Sequence, residues 1–152
     1  MKPALAKEAP GNGVSISEVR ESEIITVYDV LKELRPHISQ EEFVKIYNEA
    51  KKADQYTFYG YYIDRQCVGL MGLRYLHDYV HRYHLYIDDL VVAKDFRSQN
   101  IGAQLLQFAE NLAREKSCTG LRLCTGIDNK DGIRFYEREN WVLRAVAFKK
   151  KI

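Results

Sequence analysis

The apolar run Leu90-Val91-Val92 passes through a polar turn, Lys94 to Asn100, into a segment with Ile101, Leu105, Phe108 and Leu112 at helical spacing. A short run that is apolar at every position suits the interior of a sheet. The 3.6-residue stripe behind it needs a sheet face to cover. Another short apolar run follows at Leu121–Cys124. Strand, helix and strand in that order predict a crossover between parallel neighbours, with the helix on one face of the sheet.

The rest of the chain supplies the other elements. Residues 1–13 hold Pro3, Pro10, Gly11 and Gly13 and read as a flexible leader, with one domain over 14–152. Val14 to Val19 alternates as a strand does. Ile24, Val27, Tyr28, Leu31 and Leu34 then recur at helical spacing until Pro36. Ser39 and Glu42 form a capping box for a second helix, whose stripe is Phe43, Ile46, Tyr47 and Ala50. Tyr56–Ile63 and Cys67–Leu76 pair as a hairpin about Asp64-Arg65-Gln66, and a polar connection leads to a third strand, His84–Val92. After Leu121–Cys124, Asp128 is expected to cap a last helix carrying Phe135 and Tyr136, and Trp141–Phe148 to close as one or two strands. The expected fold is α/β (α+β), a single domain with a mixed central sheet and helices on both faces.

Composition narrows the function classes. The 23 basic and 21 acidic residues nearly cancel, so net charge gives no reason to expect a nucleic-acid partner. Lys149-Lys150-Lys151 reads as a solvated tail. Cys67, Cys118 and Cys124 are odd in number and lack C-x-x-C spacing, which favours reduced thiols. With no signal-type leader and no apolar run long enough to span a bilayer, a soluble cytoplasmic protein without a membrane partner is expected. His77, His81 and His84 sit in a hairpin connection without the carboxylate spacing of a zinc site. They read as solvent-facing, and no metal is expected.

The turn before Ile101 has its own chemistry. The first N–H groups of a helix lack internal partners and carry the positive end of the dipole, so a phosphate placed there accepts several bonds at once. Gly102 permits close approach and Arg97 could add charge. The spacing R-x-x-N-x-G matches neither G-x-G-x-x-G nor a nucleotide P-loop. From these residues alone, an anion site and an ordinary capped helix both remain open.

Two segments together carry a resemblance. "YIDDLVVAKDFRSQNIGAQLL" resembles the acyl-CoA-binding core of the GNAT superfamily of N-acetyltransferases, in which a central strand precedes [RQ]-x-x-G-x-[GA] and a helix. "NKDGIRFYERENW" is similar to that family's later N-x-x-A-x-x-F-Y-x-x-x-G-F segment, and the likeness covers roughly residues 14–150. It implies acetyl-CoA as co-substrate and a homodimer. Leu90, Val91 and Val92 would then present backbone groups to the pantetheine arm. Arg97, Ser98, Gln99, Asn100, Ile101, Gly102 and Ala103 would form the pyrophosphate loop. Asn129 would contact the pantetheine, and Tyr136 would stand near the thioester sulfur. Three positions depart from the pattern: Asn100 and Asn140 replace glycines, and Gly132 replaces an alanine. Asn enters the left-handed region more readily than most residues, so 100 and 140 can keep a glycine's backbone. Gly132 costs about 1 kcal/mol of helix propensity, which points to a need for space.

The implied reaction transfers acetyl to a primary amine by direct attack in a ternary complex. It needs a base for the amine and a donor for the developing negative charge. The "YIDD" segment resembles the Y-x-E-D of polyamine-type members and makes Asp88 the expected base, acting through water. Alternation puts Asp89 on the other face unless a bulge intervenes; structural carboxylates at a strand start are the alternative reading of both. Cys124 reads as core. Acidic and aromatic residues suit a small cation, so a polyamine-like or amino-acid-derived amine is the expected substrate. A protein lysine or N-terminal amine, and a catalytically weak acyl-CoA-binding module, are the alternatives.

Overall fold

The computed structural model describes residues 13–152, so the expected leader, apart from Gly13, lies outside the described residues. The elements in chain order are β1 (Val14–Glu18), a 3-10 segment (Glu21–Val27), α1 (Tyr28–Leu34), α2 (Gln40–Asp54), β2 (Thr57–Ile63), β3 (Gln66–Asp78), β4 (Arg82–Val92), a 3-10 turn (Lys94–Phe96), α3 (Ile101–Glu115), β5 (Leu121–Leu123) and α4 (Lys130–Arg138). They build one five-stranded sheet in the order β1-β2-β3-β4-β5. The first three pairings are antiparallel; β4 and β5 are parallel, as the crossover through α3 requires.

Local chemistry explains the boundaries. Ser39 Oγ accepts from Glu42 N–H at 3.1 Å and starts α2. Gln55 ends that helix in the left-handed region at φ 55°. Asp64 and Arg65, at φ 47° and 70°, make the two-residue turn whose twist suits the β2–β3 hairpin.

Each sheet face has its own core. On one side α3 packs Ile101, Leu105 and Leu106 on Met71, Leu73, Leu85 and Ile87. On the other, the 3-10 segment, α1 and α2 pack Val27, Leu31, Phe43 and Tyr47 on Phe58, Leu70 and Val91. Burying each such side chain contributes about 1.5–3 kcal/mol, which fixes the sheet as a rigid platform.

Two expectations are corrected. The last helix is capped by Asn129 rather than Asp128. Trp141–Phe148 forms no strand, and every residue from Val142 to Ile152 is exposed. Its alternating, β-branched composition suits a pleated surface, but a strand exists only where a neighbouring backbone takes up its N–H and C=O groups.

Candidate active site

The site begins with a break in alternation. On β4, Leu85 and Ile87 belong to the α3-side core, and so do Leu90 and Val92. The intervening pair, Asp88 and Asp89, therefore turns together to the α1–α2 face. The register with β3 shows the cause: Gly72 faces Asp89 and Leu73 faces Ile87, leaving Asp88 as the extra residue of a bulge. The expectation that alternation would send Asp89 to the opposite face is thereby corrected. At the same place β5 parts from β4, since their pairing covers only Leu85–Ile87 with Leu121–Leu123. Asp88 to Val92 are left with an edge that no strand among the described residues covers.

Both carboxylates are held. Arg74 Nε donates to Asp88 Oδ2 at 2.9 Å and its Nη2 to Oδ1 at 3.0 Å, while its Nη1 reaches Asp54 at 3.1 Å. Burial pushes the Asp88 carboxyl above the usual carboxylate value, although Arg74 pulls against it. The bond to Asp88 raises Arg74 in turn, and the bidentate geometry favours the charged pair at neutral pH. Asp89 accepts from Arg35 Nε at 3.1 Å and from the Tyr56 hydroxyl at 2.6 Å. Burial, then the Asp89 charge, drive Tyr56 far above an ordinary phenol, so it stays a donor. Gly72 makes this possible, because a Cβ there would overlap the Tyr56 hydroxyl.

Beside the carboxylates lies a cross-strand row. Arg74 on β3 is paired with Tyr86 on β4, which is paired with Arg122 on β5. The two guanidinium carbons stand 5.5 and 4.8 Å from the Tyr86 ring centroid. Arg122 Nε is shut off from solvent and has no acceptor among the described residues.

At the start of α3, Ser98 and Asn100 both sit at φ 64°, so Asn100 supplies the left-handed backbone for which a glycine would otherwise be used. The positive φ at Ser98 was not expected from sequence. None of the N–H groups of residues 98–103 finds an acceptor within the described residues. They point out of the helix start as a set of donors. Arg97 is turned back on the loop: its Nε donates to Val92 O at 3.1 Å and its Nη2 lies 3.6 Å from Glu33. Gly102 leaves room for Phe135, whose ring would lie 3.1 Å from a Cβ there. The two segments of the resemblance thus meet at Gly102 and Phe135.

On α4, Asn129 Oδ1 caps Gly132 N–H at 3.0 Å and its Nδ2 donates to Thr125 at 2.8 Å. A Cβ at Gly132 would lie 2.8 Å from Asn129 Cγ, which is the space the sequence pointed to. Asn140, at φ 66°, closes the helix. Trp141 N–H bonds Tyr136 O at 2.9 Å and Asn140 N–H bonds Glu137 O at 3.0 Å, the double bond of a Schellman turn. Trp141 meets the edge of the Tyr136 ring at a centroid distance of 6.2 Å. The Tyr136 hydroxyl makes no hydrogen bond within the described residues, and burial raises its pKa.

A family model described as "Acetyltransferase (GNAT) family" matches residues 24–140. The chain belongs to the GNAT family. It is similar to the thialysine N-epsilon-acetyltransferase of Bos taurus, 26% identical over 82% of this chain and 81% of that protein. It is also similar to the aminoalkylphosphonate N-acetyltransferase of Salmonella typhimurium, 36% identical over 55% of this chain; there it spans about half of the relative, 56%. An aminoglycoside N-acetyltransferase solved in complex with CoA has the same fold at a TM-score of 0.80, with 17% identity over 95% of this chain and 100% of that one. This GNAT chain is an acyltransferase with acetyl-CoA as co-substrate. The free N–H set before α3 and the uncovered β4 edge fit such a ligand. No helix among the described residues is long and apolar enough to cross a membrane.

Other expected features are corrected. His84 is only 1% exposed rather than solvent-facing. Its Nδ1 is 3.0 Å from Arg82 O and must donate there, leaving Nε2 without a hydrogen bond, 3.8 Å from Asp78 Oδ2. Asp78, His81 and His84 bring possible metal-ligand atoms within 4.8 Å of one another, while Arg122 places a fixed positive charge 3.8 Å from the same Asp78 oxygen. Cys124 is exposed rather than core. Sequence reasoning also missed Arg35, Tyr56, Arg74 and Arg122 as site residues.

Proposed function

We propose that this GNAT enzyme acetylates the primary amine of a small, amino-acid-derived molecule by direct attack in a ternary complex. The observation that carries the reading is the Arg74–Tyr86–Arg122 row set beside Asp88 and Asp89 on one sheet face. Carboxylates suit the ammonium of an incoming amine. The Arg122 guanidinium, whose side chain is 37% exposed, suits an acidic group on the same molecule. A polyamine-like substrate, the other form considered from sequence, brings no acidic group to that guanidinium. Thialysine and aminoalkylphosphonates, named for the two relatives, both combine an amine with an acidic group.

The residue roles follow from positions and chemistry. The N–H groups of residues 98–103 hold the pyrophosphate, with Arg97 bracing the loop from behind. The open backbone edge of Leu90, Val91 and Val92 lies along the pantetheine, with Asn129 at its other side. Acetyl-CoA supplies an acyl group already activated as a thioester. Asp88 takes the ammonium proton through water, using lone pairs that Arg74 leaves free. Asp89 holds Arg35 and orients the entrance. Tyr136 donates to the sulfur as the C–N bond forms and the C–S bond breaks, and the released thiolate takes up a proton. No covalent enzyme intermediate is needed.

Thiol release from acetyl-CoA with a panel of amines tests the reading. Amines bearing a carboxylate or phosphonate should have the highest kcat/KM, with diamines and peptide lysines lower. A preference for peptides, or cofactor binding without turnover of any amine, overturns it.

A further inference from the structure

The turn end of the β3–β4 hairpin holds a group without a partner. His84 is 1% exposed, and its Nδ1, 3.0 Å from Arg82 O, carries the ring proton. Nε2 therefore bears a bare lone pair, shut off from solvent and with no donor within the described residues. What it faces, at 3.8 Å, is Asp78 Oδ2, another acceptor. A buried acceptor without a donor is costly, and with a second acceptor opposite it the place between them calls for a positive centre. A proton on Nε2 fills it poorly, because 3.8 Å exceeds the reach of a hydrogen bond, about 2.7–3.2 Å.

His81 completes a set. Its Nδ1 lies 3.1 Å from the same Asp78 oxygen, and the three possible ligand atoms all fall within 4.8 Å of one another. Ligands held about 2.0–2.1 Å from a tetrahedral ion stand about 3.3–3.4 Å apart. The two separations to Asp78, 3.1 and 3.8 Å, bracket that value. The ligands are also braced. The Nδ1 bond to Arg82 O fixes the ring and tautomer of His84, the arrangement common to metal-bound histidines. Asp78 Oδ1 accepts from Val80 N–H at 2.9 Å and from His81 N–H, which leaves Oδ2 to face the two rings. Asp78 and His81 keep 36% and 38% of their side chains exposed, so an ion has a way in and a water can take the fourth position. From sequence, the histidines of this connection lacked a carboxylate; the fold brings them Asp78 and sets His77 aside, stacked on Tyr83 at 4.5 Å.

We propose that Asp78, His81 and His84 form a binding site for one divalent transition-metal ion of the zinc class, which fastens the end of β3 to the start of β4. Two imidazoles and one carboxylate suit Zn²⁺ or Co²⁺, whereas Ca²⁺ and Mg²⁺ seek six or more oxygens. When the ion takes His81 Nδ1, the ring proton moves to the other nitrogen. Arg122 Nη2, 3.8 Å from Asp78 Oδ2, is too far to hold that oxygen by a hydrogen bond, so its charge weakens the ion without taking its place. This inference is independent of the substrate reading.

The full chain without an affinity tag, stripped with a chelator and returned to neutral buffer, should bind one zinc ion per chain in calorimetry with a micromolar or tighter Kd. Magnesium should give no binding heat. Cobalt should give the visible bands of a four-coordinate ion without the near-ultraviolet charge-transfer bands of a thiolate. Asp78→Asn and His84→Gln should each weaken zinc by at least about 10-fold, and His77→Gln should stay within about two-fold. Arg122→Gln should tighten zinc a few-fold by removing the neighbouring charge. His84→Gln is read only if its far-UV circular dichroism is retained; Asp78→Asn, at an exposed position, carries the test otherwise. Absence of zinc binding overturns the proposal. So does binding that survives Asp78→Asn, or a cobalt spectrum with thiolate bands, which would assign the ion to a cysteine.

Discussion

Asp88 gives both of its carboxylate oxygens to a single guanidinium, that of Arg74, at 2.9 and 3.0 Å. The pair aims the carboxylate and leaves its outer lone pairs for water. Burial holds the Asp88 pKa above the usual carboxylate value, so the acid limb of kcat/KM should lie higher than that of an ordinary carboxylate. Asp88→Asn should lower kcat/KM by about 10²-fold and abolish that limb. Arg74→Lys should keep the limb but raise KM. For stability the sign is opposite to that of an ordinary paired acid. A raised carboxyl favours the folded state below its unfolded pKa and loses that contribution as pH rises through the folded one.

Arg122 offers a test that separates recognition from chemistry. Its guanidinium is partly exposed, and an acidic group on the substrate would pair with it. Arg122→Gln should raise KM about 10-fold or more for amines bearing a carboxylate or phosphonate, from the loss of a charge-assisted bond of about 1.5–3 kcal/mol. It should leave simple diamines within a few-fold. Equal losses for both classes would assign Arg122 to holding the sheet alone.

Gly72 and Asp89 are coupled through Tyr56. A methyl at Gly72 displaces the Tyr56 hydroxyl and with it the bond to Asp89. Gly72→Ala should cost about 1–3 kcal/mol in urea unfolding, as overpacking does. Because Asp89→Ala breaks the same bond, the double variant should be less destabilised than the sum of the singles, a deviation that a double-mutant cycle reads directly.

These relationships also mark how far the sequence could be read. Periodicity located α1, α2 and α3, because each buries the face its pattern advertises, while α4, which buries no residue fully, was read from its expected cap and its likeness to the family segment. Asn100 and Asn140 were legible as left-handed positions because the side chain's local preferences fix that backbone. The bulge at Asp88 was open, since alternation carries no mark of where it resets, and the partners of both carboxylates depend on it. His84 was misread because the chain closes round it with residues not adjacent in sequence: Thr119 N–H bonds Tyr83 O, and Asp78 Oδ2 lies 3.8 Å from its Nε2. The segment after Trp141 was read as strand because propensity was counted as though it implied a partner.

The α3 entrance and Tyr136 should respond differently. Asn100→Gly keeps the left-handed backbone and should change the Kd for CoA only a few-fold. Asn100→Val should cost about 1–2 kcal/mol, for the conformation alone. Tyr136→Phe should leave the CoA Kd within a few-fold and lower kcat by about 10²-fold, since the donor acts on charge that develops during transfer. Burial raises the Tyr136 pKa, so the wild-type donor should persist through the alkaline range in which a free phenol ionises. Calorimetry and steady-state rates on the three variants distinguish these roles.

The hairpin end between β3 and β4 should open in acid. Asp78 Oδ1 accepts from Val80 N–H at 2.9 Å and from His81 N–H, and its Oδ2 faces His81 Nδ1 at 3.1 Å. The backbone bond from His81, and then its side chain, hold the Asp78 carboxyl down at about 2. A depressed carboxyl contributes stability above its unfolded pKa of about 4 and loses it as pH falls through the folded value. Amide exchange at Val80 and His81, corrected for the intrinsic rate, should therefore be protected at about pH 5 and lose protection toward about pH 2. Asp78→Ala should show no such protection at either pH. Protection that persists in the alanine variant would mean that the turn is held by Thr119, whose hydroxyl donates to Tyr83 O at 3.1 Å, and not by the carboxylate.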